Sequence, residues 1–257
     1  MFSRWFVFLL CLLAVSPVQA EWSLDSFHEV AGLPAQVVAW QAEVRAGDRR
    51  VRVDGVSFDA REAVFRVIDN PPDARKPLDV ALSETGALAG SNGNYFHEDF
   101  TPLGLVVSAG RRIHGFERAK LLSGILILRA GGIEMVRSDN FHGEVPVDEA
   151  LQAGPWLVEK GTAVAGLNAV RLARRTVVAT DGKGHWAIIA TGPITLAETA
   201  SFLLLKNLPG TWTVRQALNL DGGSSTSLLA LSGSRAVVDI PSFGPVRNYL
   251  AIVPRGQ

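Results

Sequence analysis

The stretch Ala217-Leu-Asn-Leu-Asp-Gly-Gly-Ser-Ser-Thr-Ser-Leu-Leu-Ala230 sets two short apolar runs on either side of Asp221-Gly222-Gly223-Ser224-Ser225. Each run is too short for a helix and reads as a buried strand. A tight hairpin needs only a dipeptide such as Asp-Gly. Here a carboxylate, two glycines and two hydroxyls are held together. Successive glycines bare backbone N–H groups that can form an anion-binding nest. A carboxylate at the end of an apolar strand is expected to be partly desolvated, which raises its pKa. The same five residues also make a decorated β-turn. A serine-hydrolase elbow does not fit, because Gly-x-Ser-x-Gly is absent and no obvious helix follows.

Working outward, strand signals dominate. Ala63 to Asp69 alternates, and Leu103 to Val107 is a short apolar run. Gly124–Arg129 and Ile133–Val136 flank Ala-Gly-Gly as one hairpin; Arg175–Thr180 and His185–Thr191 flank Asp-Gly-Lys-Gly as a second. Tyr249 to Val253 reads as a closing strand. Helices are few. Pro77 to Glu84 is one, and Leu196 to Asn207 is the clearest, with Thr195 and Glu198 as a capping box and Pro209-Gly210 as its stop. The expected class is α+β: a large twisted, mainly antiparallel or mixed β-sheet flanked by a few α-helices, in a single domain.

Residues 1–20 combine Arg4, an apolar run from Trp5 to Val15 and Val18-Gln19-Ala20, the pattern of a cleaved signal peptide. The run is short for a membrane span. Cys11, the single cysteine of the 257-residue chain, lies inside it, and Phe8-Leu9-Leu10 before it does not suit lipid modification. The expectation is an exported bacterial protein, periplasmic or secreted, with no stable membrane span after signal cleavage. Residues 21–59 form an N-terminal extension or accessory strands, and residues 60–257 form the main domain. With 25 basic and 25 acidic residues and no basic stripe among aromatics, nucleic acid is not an expected partner.

Other polar stretches carry weaker signals. Ser91-Asn-Gly-Asn-Tyr-Phe-His-Glu-Asp99 runs from a turn into aromatics and then His97, Glu98 and Asp99. A histidine beside carboxylates suggests an acid/base or metal site, although neighbours on an extended chain face opposite ways. Ala150-Leu-Gln-Ala-Gly-Pro155 is a tight bend. Arg174-Arg175 at a strand mouth is either a solvated edge or a bidentate phosphate fork. No His-x-x-x-His or cysteine pair supports zinc.

Together these stretches resemble the phosphodiester glycosidase family. The family's Asn-Gly-Gly-Phe/Tyr-Phe and Pro-x-Gly resemble Asn92 to Phe96 and Pro102-Leu-Gly104. Gln152 to Pro155, Arg175-Thr176 and Leu196-Ala-Glu198 follow in family order, then Asn219 to Ser225 and Arg247-Asn248-Tyr249. The resemblance spans about Gly90 to Pro254. Two departures stand out: Asn94 replaces a glycine, and the Asp-Gly-Gly loop is one glycine short.

The resemblance implies hydrolysis of a sugar-1-phosphodiester at its glycosidic bond, releasing sugar and a phosphomonoester. Asp221 is then the leading carboxylate, as nucleophile or base, and Glu198 the second candidate unless its cap occupies it. Arg175 with the N–H groups of Gly222 and Gly223 would hold the phosphate. Asn92 and Ser225 would bind sugar or orient Asp221, with His97 a spare acid/base. Ser224, Gly93, Gln152, Gly154 and Asn248 complete the substrate-binding set. No cofactor is expected, a divalent cation being left open. Two alternatives stand beside this: a non-catalytic module binding envelope polysaccharide or phosphoglycan, and a metal-dependent phosphodiesterase using His97, Glu98 and Asp221.

Overall fold

The computed structural model describes residues 21–130, 132–143 and 146–256. The signal-peptide reading of residues 1–20, with Cys11, lies outside these. Among the described residues are three antiparallel sheets and two α-helices. The largest sheet contains β1 (Ser23–Val30), β2 (Val37–Ala46), β3 (Arg49–Asp59), β11 (Trp156–Glu159), β12 (Thr162–Ala163), β13 (Ala173–Thr180), β14 (His185–Ile194) and β15 (Gln216–Asn219). Its spatial order is β1-β2-β3-β14-β13-β15-β11-β12. Residues 21–59 are thus hydrogen-bonded into the main sheet, β3 pairing with β14 from Asp59↔His185 to Val53↔Thr191.

A second sheet contains β4 (Ala63–Asp69), β5 (Ala89–Asn92), β16 (Leu228–Ser232), β17 (Arg235–Ile240) and β18 (Asn248–Pro254), in the order β17-β16-β5-β18-β4. The third contains β6 (Val106–Ser108), β7 (Arg111–His114), β8 (Gly124–Arg129), β9 (Gly132–Arg137) and β10 (Glu149–Ala153), in the order β7-β6-β10-β8-β9. The expected single large sheet is therefore three. An open sheet rarely exceeds about ten strands without splitting into packed layers, and the described strands exceed that. Both hairpins expected from Ala-Gly-Gly and Asp-Gly-Lys-Gly are present as β8–β9 and β13–β14.

The alternation of side chains explains the layers. Val178, Trp186, Ile188 and Leu218 of the large sheet meet Phe65, Val67, Leu250 and Ile252 of the second sheet and Leu126 and Leu151 of the third. Val177, Ala179, Ala187 and Ile189, one residue out of phase, pack under Phe202 and Leu203. β13 and β14 are covered on both faces, which is why their sequences read as continuous apolar runs.

The helices are α1 (Leu78–Glu84) and α2 (Leu196–Phe202). The capping box forms as expected: Thr195 Oγ1 accepts from Glu198 N, and the Glu198 carboxylate accepts from Thr195 N. α2 ends five residues earlier than its apolar pattern suggests; Leu203 to Leu208 continue as turns, still buried at Leu203 and Leu208. Among the described residues no helix is long and apolar enough to cross a membrane.

Candidate functional site

β15 carries the chain from Gln216 to Asn219 through the middle of the large sheet and delivers Asp221 at its end. β5, in the second sheet, ends at Asn92 and turns through Gly93. The two ends meet. Asp221 N donates to Gly93 O at 3.1 Å, and Asn92 Nδ2 donates to Asp221 O at 2.7 Å. Asn92 Oδ1 accepts from Thr176 Oγ1 at 2.7 Å and from Ser227 N at 3.0 Å. One fully buried side chain thus ties β5, β13, and both sides of the Asp-Gly-Gly-Ser-Ser loop. A buried amide satisfied this completely fixes geometry, since any displacement strands polar groups without water.

Gly93 is required by close approach. A Cβ there would lie 2.0 Å from Asn248 Oδ1. Asn248 is fully buried and pairs reciprocally with Asn94: its Oδ1 accepts from Asn94 N and its Nδ2 donates to Asn94 Oδ1. Asn94 Nδ2 also donates to Leu103 O, so the residue replacing the family glycine anchors the turn to the next loop. Each end of the Asn248 amide thus has a partner on Asn94, which ties β18 to the turn after β5.

The Asp221 carboxylate is largely withdrawn from solvent, and burial raises its pKa. The Ser225 hydroxyl and the Gly222 N–H, which donates to Oδ1 at 2.8 Å, oppose the shift by favouring the ionised form. Tyr95 stands nearby; its hydroxyl donates to Gly154 O at 2.7 Å and accepts from Asn219 Nδ2 at 2.7 Å. Burial first, and then the Asp221 charge, push the Tyr95 phenol well above its ordinary range, while Arg175 and Arg171 act the other way. Tyr95 therefore lies within electrostatic reach of Asp221, Arg175 and Arg171. Arg175 is buried, with Nε donating to Ile194 O and Nη2 to Arg171 O.

Several expected roles change. The glycine N–H cradle does not exist as an open nest: Gly222 N is committed to Asp221 and Gly223 N to Arg174 O. Glu198 has both carboxylate oxygens engaged, one in the capping box and one with Arg49. Gln152 is fully buried and its amide serves the backbone of Leu105, Glu117 and Leu122. Gly154 contributes a carbonyl that accepts from Tyr95 and Asn219, and a Cβ there would strike Leu121 O at 1.9 Å. Ser224 is exposed, and its carbonyl accepts from Phe243 N. His97, Glu98 and Asp99 are exposed on the turn closed by His97 N to Thr101 O. Among the described residues no three histidine, cysteine or acidic side chains cluster as metal ligands, so His97, Glu98 and Asp221 do not form the expected trio.

Tyr95, Thr176, Asn219 and Ser227 stood inside the quoted stretches without a role, and Arg171 carried no sequence signal. Their parts depend on which strands become neighbours, and β5 meets β16 only through a sheet built from distant segments.

The phosphodiester glycosidase family model matches residues 85–253. The fold is similar to the zebrafish N-acetylglucosamine-1-phosphodiester alpha-N-acetylglucosaminidase catalytic domain auto-inhibited by its pro-peptide. That match has a TM-score of 0.66 at 18% identity, covering 93% of this chain and 89% of that one. It is similar also to a hypothetical protein from Synechocystis, with a TM-score of 0.59 at 16% identity and coverage of 86% and 62%. A third similar structure is a Burkholderia pseudomallei protein assigned to export, with a TM-score of 0.53 at 12% identity and coverage of 88% and 76%. No curated protein sequence matches the chain. The matched span contains Asn92, Thr176, Asn219 and Asp221, and with more than half of its length covered the chain belongs to the phosphodiester glycosidase family.

Proposed function

We propose that this protein is an exported bacterial hydrolase, periplasmic or secreted, that cleaves the glycosidic bond of a sugar-1-phosphodiester. The observation that carries the reading is the burial of Asp221 on a loop locked by Asn92, beside Tyr95, whose phenol in turn lies within electrostatic reach of Arg175 and Arg171. A desolvated carboxylate is a stronger base and nucleophile than one in water. The leaving group is already a stabilised phosphate anion, so a second carboxyl acting as general acid is dispensable, and one free carboxylate suffices. Asp221 acts at the anomeric carbon or on the attacking water. Arg175, whose Nη1 is not tied to a backbone carbonyl, and the exposed Arg171 balance the phosphate charge. Ser225 orients the Asp221 carboxylate, and Asn92 holds its backbone. Glu198 sets the start of α2, and Arg175 is tied to the end of the preceding strand β14 through Ile194 O.

The test is release of p-nitrophenyl phosphate from p-nitrophenyl sugar-1-phosphodiesters by the secreted protein. Asp221→Asn should abolish turnover while circular dichroism stays unchanged. Saturable binding of these substrates by the unaltered protein without turnover would instead make it a phosphoglycan-binding module.

A further inference from the structure

At the end of the large sheet opposite Asp221 lies a cavity of about 800 Å³ lined by Lys160, Asp181, Lys183, Trp212, Arg215 and Gln216, with Thr211 and Thr213 at its margin. Topology fixes the separation. Arg175 is near the start of β13 and Asp181 follows its end; Gln216 begins β15 and Asp221 lies beyond its end. At about 3.4 Å per residue the two places are roughly 17 Å apart along the strands. The strand ends forming the cavity are stitched together: Arg215 N donates to Thr180 O and Gly161 N to Arg215 O.

The charges are unbalanced. Lys160, Lys183 and Arg215 are exposed, and none forms an ion pair with a described carboxylate. Asp181, the one acid in the lining, is nearly buried and already accepts from Lys183 N, His185 N and the His185 ring. Three cations around one cavity repel each other and concentrate anions there. Trp212 is half-buried, stacked on His185 with ring centroids 6.0 Å apart, and borders both this cavity and a smaller one beyond it. Its indole offers an apolar wall, while threonine hydroxyls and the Gln216 amide offer hydrogen bonds suited to sugar hydroxyls.

We propose that this cavity is a separate binding site for an acidic carbohydrate chain, its phosphate or carboxylate groups held by Lys160, Lys183 and Arg215 and a sugar ring laid against Trp212. The site holds a glycan whether or not Asp221 hydrolyses one. The test is titration of the full chain and of Asp221→Asn with three probes: oligogalacturonate, phosphorylated dextran and neutral maltohexaose. The expected result is saturable, salt-sensitive binding of one or both acidic probes by both proteins, and none of maltohexaose. Which acidic probe binds better identifies the charged group. Lys160→Ser/Lys183→Ser/Arg215→Ser, with an unchanged thermal midpoint, and, separately, Trp212→Ala, measured well below a melting transition lowered by its lost core packing, should each weaken binding by about tenfold or more. Equal binding of neutral and acidic chains, unchanged binding by the triple variant, or equally tight Trp212-dependent binding of a single-stranded oligonucleotide would each overturn the proposal.

Discussion

Asn92 and Asp221, separated by 129 residues, are joined by a 2.7 Å hydrogen bond from the Asn92 side-chain amide to the Asp221 carbonyl. The bond grips the backbone and leaves the carboxylate to Ser225 and Gly222. Asn92 thus places Asp221 without quenching it. Replacing Asn92 by Ala strands the Thr176 hydroxyl and Ser227 N–H in a buried space. The expected loss is about 1–3 kcal/mol in urea unfolding, with turnover falling further than the fraction unfolded would account for.

Gly93 and Asn248 are predicted to be coupled. Gly93→Ala drives a Cβ into Asn248 Oδ1 and should cost about 1–3 kcal/mol. Asn248→Ala removes that obstacle, so the double variant should be less destabilised than the sum of the singles. Strict additivity in a double-mutant cycle would show that the close approach does not control the turn.

Glu198→Gln separates structure from chemistry. The capping box and the Arg49 ion pair would be weakened, lowering stability by about 1 kcal/mol. Turnover measured well below the melting transition should stay within about twofold of the unaltered protein. A thousandfold fall in kcat would return Glu198 to the mechanism.

Glu149 gives the fold a pH dependence of its own. Burial raises its pKa to about 7, against the backbone donors Val67 N and Ala109 N that favour the carboxylate. The folded state therefore holds the proton more tightly than the unfolded chain. Its contribution is fully present below the ordinary glutamate range, where both states are protonated, and is lost as pH rises through about 7. Denaturant titrations across this window should show that slope, and Glu149→Gln should remove it.

How much of this was legible beforehand depended on the range of the interaction. The β13–β14 hairpin and the Thr195–Glu198 cap are local, and turn and capping chemistry announced both. The Asp221 loop was legible because its composition exceeded what a turn needs. The division into three sheets was not, since it depends on β5 lying between β16 and β18 rather than beside its sequence neighbours. Gly222 and Gly223 misled for a related reason. Glycines looked like open donors, yet Arg174 O approaches so closely that a Cβ on Gly222 would sit 2.7 Å from it. Gly222 admits a neighbouring strand, Gly223 takes a left-handed φ of 64°, and neither leaves its N–H free.

The pH profile of turnover follows from a single working carboxylate. Asp221 must be ionised, and its pKa is raised by burial, so kcat should fall on acidification at a higher pH than for an exposed aspartate. Tyr95 stays protonated through neutral pH because burial holds its phenol up, so no basic limb from Tyr95 is expected below about pH 9.

The most direct measurement compares the unaltered protein with Asp221→Asn on a p-nitrophenyl sugar-1-phosphodiester, with circular dichroism and thermal midpoints recorded on the same samples. Saturable hydrolysis by the former and a loss of at least about 10³-fold in the latter, at unchanged fold, is the predicted outcome. Equal turnover by the two would contradict the role given to the buried carboxylate.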